Sequence, residues 1–166
     1  MTSPPPLTPL AAAVLHVGDP ERILQLECGE GEGALFLARE FPAARIRGID
    51  GSAEAIAAAT ARVGLDPEGR IAFKRGGPRR IPFPDGHFDL LAALDARPTA
   101  AEAARVLRPG GFLALAVSRG EAPLAGPRGA LYRRGLARHG FQPIWEEAAG
   151  DGSFLVRRLR GGGPVV

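Results

Sequence analysis

The sequence contains a single cysteine, Cys28, and only three histidines. One cysteine excludes an intrachain disulfide and is typical of a reducing compartment, so we expect a cytoplasmic protein. The scattered histidines and the lone cysteine offer no metal-ligand spacing, and we predict no metal site. Because no apolar run approaches the length of a membrane-spanning helix, we also expect no association with a membrane.

The positive and negative charges of the chain nearly balance. The chain has 21 Lys and Arg against 18 Asp and Glu, and Lys74 is its only lysine. The densest basic cluster comprises Lys74, Arg75, Arg79 and Arg80, which we interpret as a solvated loop face. A net charge of only +3, spread along the chain, argues against a nucleic-acid partner.

The length of 166 residues fits one domain, and 45% hydrophobic residues are enough to form a core. We predict that residues 10–160 form this domain. Residues 1–9 are rich in Pro and Thr and lack the pattern of a secretory signal, so we predict a flexible lead there. A flexible tail is predicted for residues 161–166. The sequence does not define an oligomeric state.

Apolar runs typical of strands alternate with segments of helical spacing along the whole chain. The predicted strands cover 23–26, 45–49, 70–74, 88–94, 112–117, 141–146 and 153–159. The predicted helices cover 10–16, 33–41, 53–63, 99–107 and 128–139. This alternation predicts an α/β fold, a mainly parallel sheet with helices on both faces, in which the last two strands form an antiparallel hairpin.

A glycine-rich turn joins the first strand to its helix. Gly29, Gly31 and Gly33 alternate with acidic residues there, and missing side chains let a ligand approach the backbone. Asp50 ends the second strand, where its carboxylate can accept hydrogen bonds from two ribose hydroxyls. The turn alone fits either a dinucleotide or S-adenosylmethionine. A short-chain dehydrogenase is excluded, because Tyr132 is followed four positions later by Leu136 rather than Lys.

Four segments, in order, resemble the class I S-adenosylmethionine-dependent methyltransferases of the type 11 group. They are Ile23-Leu24-Gln25-Leu26-Glu27-Cys28-Gly29-Glu30-Gly31-Glu32-Gly33, Gly48-Ile49-Asp50, Ile81-Pro82-Phe83-Pro84-Asp85-Gly86-His87-Phe88-Asp89 and Arg105-Val106-Leu107-Arg108-Pro109-Gly110-Gly111. The resemblance implies a Rossmann-like seven-stranded sheet of order 3-2-1-4-5-7-6 with its seventh strand antiparallel. It also implies S-adenosylmethionine as cofactor, bound by Glu27, Gly29, Gly31, Gly33, Asp50 and Gly51.

The sequence departs from this family at two places. Where relatives carry an Asp and a small residue that read adenine, this chain has Gly77 and Pro78, which supply neither a carboxylate nor a backbone donor. Two missing hydrogen bonds would cost on the order of 2 to 4 kcal/mol of binding. The loop after the fourth strand is also short and shapes a small or open acceptor cavity.

Three functional hypotheses follow. The first is methyl transfer to a small-molecule acceptor, with Asp95 as the candidate base or orienting group, because it follows the fourth strand at the ligand-binding edge. The second is a degenerate methyltransferase fold that serves as a binding or regulatory module, as Gly77 and Pro78 suggest. The third is RNA modification through the arginine-rich face.

Overall fold

The computed structural model describes residues 7–120 and 125–161, which form one seven-stranded sheet flanked by five helices. The helices are α1 (Thr8–Val14), α2 (Glu32–Glu40), α3 (Ala53–Val63), α4 (Ala100–Val106) and α5 (Gly126–Arg138). The strands are β1 (Arg22–Leu26), β2 (Arg45–Asp50), β3 (Ile71–Arg75), β4 (Phe88–Leu94), β5 (Leu107–Val117), β6 (Phe141–Ala149) and β7 (Gly152–Leu159).

The strand order is β3-β2-β1-β4-β5-β7-β6, which confirms the predicted topology. The five strands from β3 to β5 pair in parallel, whereas β7 pairs antiparallel to both β5 and β6. Parallel neighbours place their carboxyl ends at one edge of the sheet. The turns after β1, β2, β3 and β4 therefore meet at that edge, where open α/β sheets bind ligands.

Two apolar cores lie on the two faces of the sheet. Successive side chains of β4 alternate between them, so that Leu90 packs with α1 and α2 while Leu91 packs with α4 and α5. Both leucines are fully buried. A central strand that is covered on both faces explains why its sequence is apolar nearly throughout.

The segment 108–111, predicted as a turn before the fifth strand, forms a bulge inside β5. Leu107 pairs with Phe88 and Phe112 pairs with Leu90, so four residues lie opposite Asp89 alone. The buried carboxylate of Asp89 accepts hydrogen bonds from the amides of Glu21 and Arg22 at 2.7 and 3.0 Å. The side chain of Arg108 contacts this carboxylate at 2.6 Å, so the bulge anchors the start of β1.

Helices α3 and α4 begin at the predicted N-caps, but one predicted contact is wrong. Ser52 Oγ accepts a hydrogen bond from the Ala55 amide, and Thr99 Oγ accepts one from the Glu102 amide. The expected capping box requires the Glu102 carboxylate to return to the Thr99 amide. Instead, this carboxylate accepts from the Ile81 amide at 2.7 Å, and the Thr99 amide donates to the Pro78 carbonyl.

Helix α1 begins at Thr8, inside the segment that was predicted as a flexible lead, and Pro9 in its first turn is buried. Residues 1–6 of the predicted lead and 162–166 of the predicted tail lie outside the described residues. Across the described part of the chain, none of the helices has both the length and the apolar character needed to cross a membrane.

Candidate functional site

The carboxylate of Asp50 joins two loops at the ligand-binding edge. Its Oδ2 accepts a hydrogen bond from the Gly29 amide at 3.0 Å, and its Oδ1 accepts one from the Ser52 amide at 2.9 Å. The first bond ties the carboxylate to the turn after β1, and the second ties it to the start of α3. Each oxygen keeps a further lone pair, so the half-buried carboxylate can still accept from a ligand.

The three glycines of the turn serve different purposes. Gly29 has a φ of 52°, and a Cβ built there would meet nothing within 4 Å, so its surface is open to a ligand. Gly31 caps α2 with a φ of 90°, and its Cβ would lie 3.1 Å from that of Ala59. Gly33 lies over Gln25, whose Nε2 would be 2.1 Å from an added Cβ. Gly31 therefore allows the start of α2 to approach α3, and Gly33 allows α2 to pack closely on β1.

Glu27 begins the turn with a left-handed backbone, φ 53°, which is uncommon for a residue with a side chain. Its side chain is exposed and makes no hydrogen bond to the described residues. Partial burial, followed by repulsion from Asp50, raises the pKa of this carboxyl above its usual value. Two acids facing one turn form a site in which a cation would relieve the repulsion.

Gln25 is a functional candidate that the sequence reasoning missed. It is 4% exposed, and its Oε1 is the one buried side-chain polar atom without a hydrogen-bond partner among the described residues. The amide lies directly beneath Gly33 at the start of α2. A polar residue on the same buried face of β1 as Ile23 was the available signal, because an amide is rarely placed in a core without a partner.

Gly51 lies at the turn that follows Asp50. Its carbonyl oxygen accepts two hydrogen bonds from the side chain of Arg75, one from Nε at 3.1 Å and one from Nη2 at 2.9 Å. These bonds hold the Arg75 guanidinium at the turn that follows Asp50. Open space surrounds the Cα of Gly51, which leaves room for a ligand above it.

The segment after β3 reaches the same edge but offers few polar groups. The Gly76 amide donates to the Asp50 carbonyl at 3.1 Å, and the Pro78 carbonyl accepts from the Thr99 amide at 3.1 Å. Gly77 carries no side chain, and a Cβ there would meet nothing within 4 Å. The segment therefore lies beside Asp50 but contributes no carboxylate of its own.

Asp95 follows β4 and, like Glu27, has a left-handed backbone, with φ 59°. The Ser118 amide donates to its Oδ1 at 2.8 Å, and the Ser118 hydroxyl donates to its Oδ2 at 2.6 Å. The structure thus joins the ends of β4 and β5 through this carboxylate. Each oxygen keeps a further lone pair, so this carboxylate can still accept a hydrogen bond from an acceptor molecule.

The basic cluster borders an open groove of about 740 Å³ between the post-β3 segment and α4. Arg75, Arg80 and Arg105 contribute side chains to its wall, and Lys74 lies 4.2 Å from the ring centre of Phe83. Arg105 is committed to protein partners: Glu102, Asp85, and the carbonyls of Ile81 and Phe83. The groove therefore has fewer available cations than its sequence suggests.

Two of the three histidines stack on aromatic rings. His87 stacks on Phe83 with ring centres 5.8 Å apart, and burial, followed by nearby arginines, lowers the pKa of its imidazole. His16 stacks on Trp145 at 4.8 Å. No group of three metal-ligating side chains exists in residues 7–120 and 125–161.

The site fits one half of S-adenosylmethionine better than the other. The open surface at Gly29 and the two neighbouring acids, Glu27 and Asp50, suit the sugar and the cationic amino-acid half. Where the purine base of the cofactor would lie, Gly77 supplies no carboxylate and Pro78 supplies no backbone N–H donor. The residues therefore fit the cofactor, with a departure where the purine would lie.

Comparisons with known proteins agree with this geometry. Residues 23–111 match the methyltransferase domain family. The fatty-acid O-methyltransferase of Mycolicibacterium smegmatis is 32% identical over 147 residues, which cover 84% of this chain and 46% of that protein. The chain thus spans about half the length of the curated relatives it matches.

Two solved structures share the fold. An S-adenosylmethionine-dependent methyltransferase from Mesorhizobium loti superposes with a TM-score of 0.67 at 20% identity, covering 90% of this chain and 95% of that one. The cyclase SpnF superposes with a TM-score of 0.71 at 22% identity, covering 92% and 80%. With the matched domain, these findings confirm the predicted fold and the family cofactor, S-adenosylmethionine. The chain belongs to the methyltransferase domain family.

Proposed function

We propose that this protein transfers the methyl group of S-adenosylmethionine to a small-molecule acceptor. The observation that carries the proposal is the bond between the Asp50 carboxylate and the Gly29 amide, which brings the acid and the glycine turn together at the ligand-binding edge. The curated relative named for fatty-acid methylation supports a small acceptor. The single, buried Cys28 supports a cytoplasmic setting.

The cofactor, when bound, supplies an electrophilic methyl group on a sulfonium. The chain's own residues bind and orient it. Asp50 accepts from the ribose hydroxyls, and Glu27 pairs with the cationic amino-acid half, which offsets its repulsion with Asp50. The free amides in the first turn of α2, which follow Gly31, stabilise a carboxylate. Gly29 and Gly51 leave open space for the cofactor, and Gly33 contributes by letting α2 pack closely on β1.

Asp95 is proposed to act on the acceptor side. Its carboxylate joins β4 to β5 through Ser118 at the carboxyl edge of the sheet, where its backbone is left-handed. An acceptor hydroxyl can donate to the lone pair of Oδ2 that Ser118 leaves unused. In that arrangement Asp95 orients the acceptor, and alignment of acceptor and methyl supplies most of the rate.

The proposal is tested by calorimetric titration with S-adenosylmethionine and S-adenosylhomocysteine. We expect micromolar binding by the unmodified chain and at least tenfold weaker binding by Asp50→Asn, because the ribose loses a charged acceptor. Asp19→Asn, at an exposed position, is the matched control and should bind normally. Absence of binding at millimolar ligand would rule the proposal out.

The second candidate is a binding or regulatory protein that keeps the fold without methylation. Gly77 and Pro78 favour it, and the cyclase neighbour illustrates that this fold carries other functions. A panel of carboxylic acids, phenols and amines, incubated with the cofactor and analysed by mass, separates the two. A product that has gained one methyl group would exclude the second candidate, whereas cofactor binding without product from any acceptor would favour it.

A further inference from the structure

We propose that the base end of the site does not select adenine, so that the protein binds S-nucleosyl ligands with a 6-oxo purine about as well as those with a 6-amino purine. The inference rests on the proposed function, since it assumes that Asp50 holds the ribose. The residues that determine this property are Gly77, Pro78 and the arginines around them.

The position of the base follows from the order of the strands. β2 lies between β1 and β3, and Asp50 is its last residue. The turn after β1 takes the amino-acid half of the ligand, so the base attached to the same ribose lies on the other side, over the segment after β3. The bond from the Gly76 amide to the Asp50 carbonyl fixes this segment next to the acid.

No carboxylate lies in this segment between residues 74 and 84. The nearest acids in sequence and along α4, Asp85 and Glu102, are both bound to Arg105, at 3.0 and 2.7 Å. The Pro78 carbonyl accepts from Thr99 and the Gly77 carbonyl accepts from Arg80. The segment therefore offers no carboxylate of its own to an exocyclic amino group, the two acids nearest to it pair with Arg105, and Pro78 cannot donate to a ring nitrogen.

This part of the site instead contains hydrogen-bond donors, the guanidinium groups of two arginines. Arg80 faces Gly77 across an isolated bridge, and its side chain makes no hydrogen bond to the described residues. Arg75 is held beside Asp50 by the Gly51 carbonyl. Adenine presents an amino donor at position 6, whereas hypoxanthine presents an oxygen acceptor there. A base end that has guanidinium groups and lacks a carboxylate has no group that favours the amino form.

The test compares the dissociation constants of S-adenosylhomocysteine and S-inosylhomocysteine by calorimetry. We expect the two values to agree within tenfold. A preference of more than tenfold for the adenosyl ligand would overturn the inference and leave the proposed function intact. Failure of both ligands to bind at millimolar concentration would instead overturn the proposed function, and the inference with it.

A gain-of-selectivity variant provides the second arm. Because a Cβ at residue 77 meets nothing within 4 Å, Gly77→Asp can fold without displacing a neighbour. We expect it to bind S-adenosylhomocysteine at least tenfold more tightly while S-inosylhomocysteine gains nothing. Gly77→Ala is the matched control and should leave both constants unchanged. An equal effect of Gly77→Asp on the two ligands, or none on either, would contradict the proposal.

Discussion

Two residues with side chains, Glu27 and Asp95, adopt a left-handed backbone in the described part of the chain. They end β1 and β4, the two neighbouring strands at the middle of the sheet. Such a conformation costs of order 1–2 kcal/mol for a residue with a Cβ. Strain of this kind gathers at functional sites, where the surrounding fold holds it in place. The two residues with a left-handed backbone thus lie at the same edge of the sheet as the glycine turn and Asp50.

The raised pKa of Glu27 predicts a pH-dependent affinity for the cofactor. A cationic ligand group binds the ionised carboxylate, so binding should weaken as the pH falls through the raised pKa and should release protons there. Titration in two buffers of different ionisation enthalpy measures this release. Glu27→Gln, which keeps the left-handed residue and removes the charge, should bind more weakly and without proton release. Equal proton release by both proteins would contradict the assignment of Glu27.

At the scale of elements, α4 organises the segment that precedes β4. Arg105 on α4 donates to the carbonyls of Ile81 and Phe83, while Glu102 accepts from the Ile81 amide. The hydrogen bond with Arg105 is the main cause that lowers the pKa of Glu102. The irregular, proline-rich stretch 81–84 is therefore held by one charged pair on a helix rather than by secondary structure of its own.

Loss of this pair should destabilise the fold measurably. We expect Arg105→Gln to lower the free energy of unfolding by about 1–3 kcal/mol, because it leaves the partly buried Glu102 without its charged partner. Glu102 adds stability above its ordinary pKa, and this contribution is lost as the pH falls through its lowered value. Urea titrations from neutral to acidic pH test both effects. The control is Arg79→Gln, at an exposed position, which should leave the free energy of unfolding nearly unchanged. Arg108→Gln would not serve as a control, because Arg108 contacts Asp89.

On the scale of the whole molecule, one sheet separates two apolar cores, and β4 contributes to both. The described chain therefore folds around the sheet as a single unit. Residues of β1, β4 and β5 contribute to both cores, so these central strands are fixed by packing on the two faces at once.

Truncation on either face should therefore destabilise the same cooperative transition. Leu90→Ala and Leu91→Ala each remove a fully buried side chain and should cost about 2–5 kcal/mol. Far-ultraviolet circular dichroism and the fluorescence of Trp145, on β6 at the far edge of the sheet, should report coincident midpoints in both variants. Exposed Leu65→Ala serves as control. Separate midpoints for the two signals would contradict a single folding unit.

The sequence by itself determined the alternation of strands and helices and the caps of α3 and α4, and its resemblance to the methyltransferases supplied the strand order and the family. These depend on local periodicity, on turn chemistry and on ordered motifs, all of which are written along the chain. The assignment of Glu27, Gly29, Gly31, Gly33, Asp50, Gly51 and Asp95 to the site stays a prediction.

Only the tertiary structure decided which hydrogen-bond and ion-pair partners the polar side chains have. Glu102 binds Ile81 and Arg105 rather than its own cap, Asp95 binds Ser118, and Gln25 remains unpartnered beneath Gly33. Segment 108–111 becomes a bulge that holds Asp89 rather than a simple turn. These contacts join residues distant in sequence, and a hydrogen bond between such residues depends on the packing of the strands that bring them together.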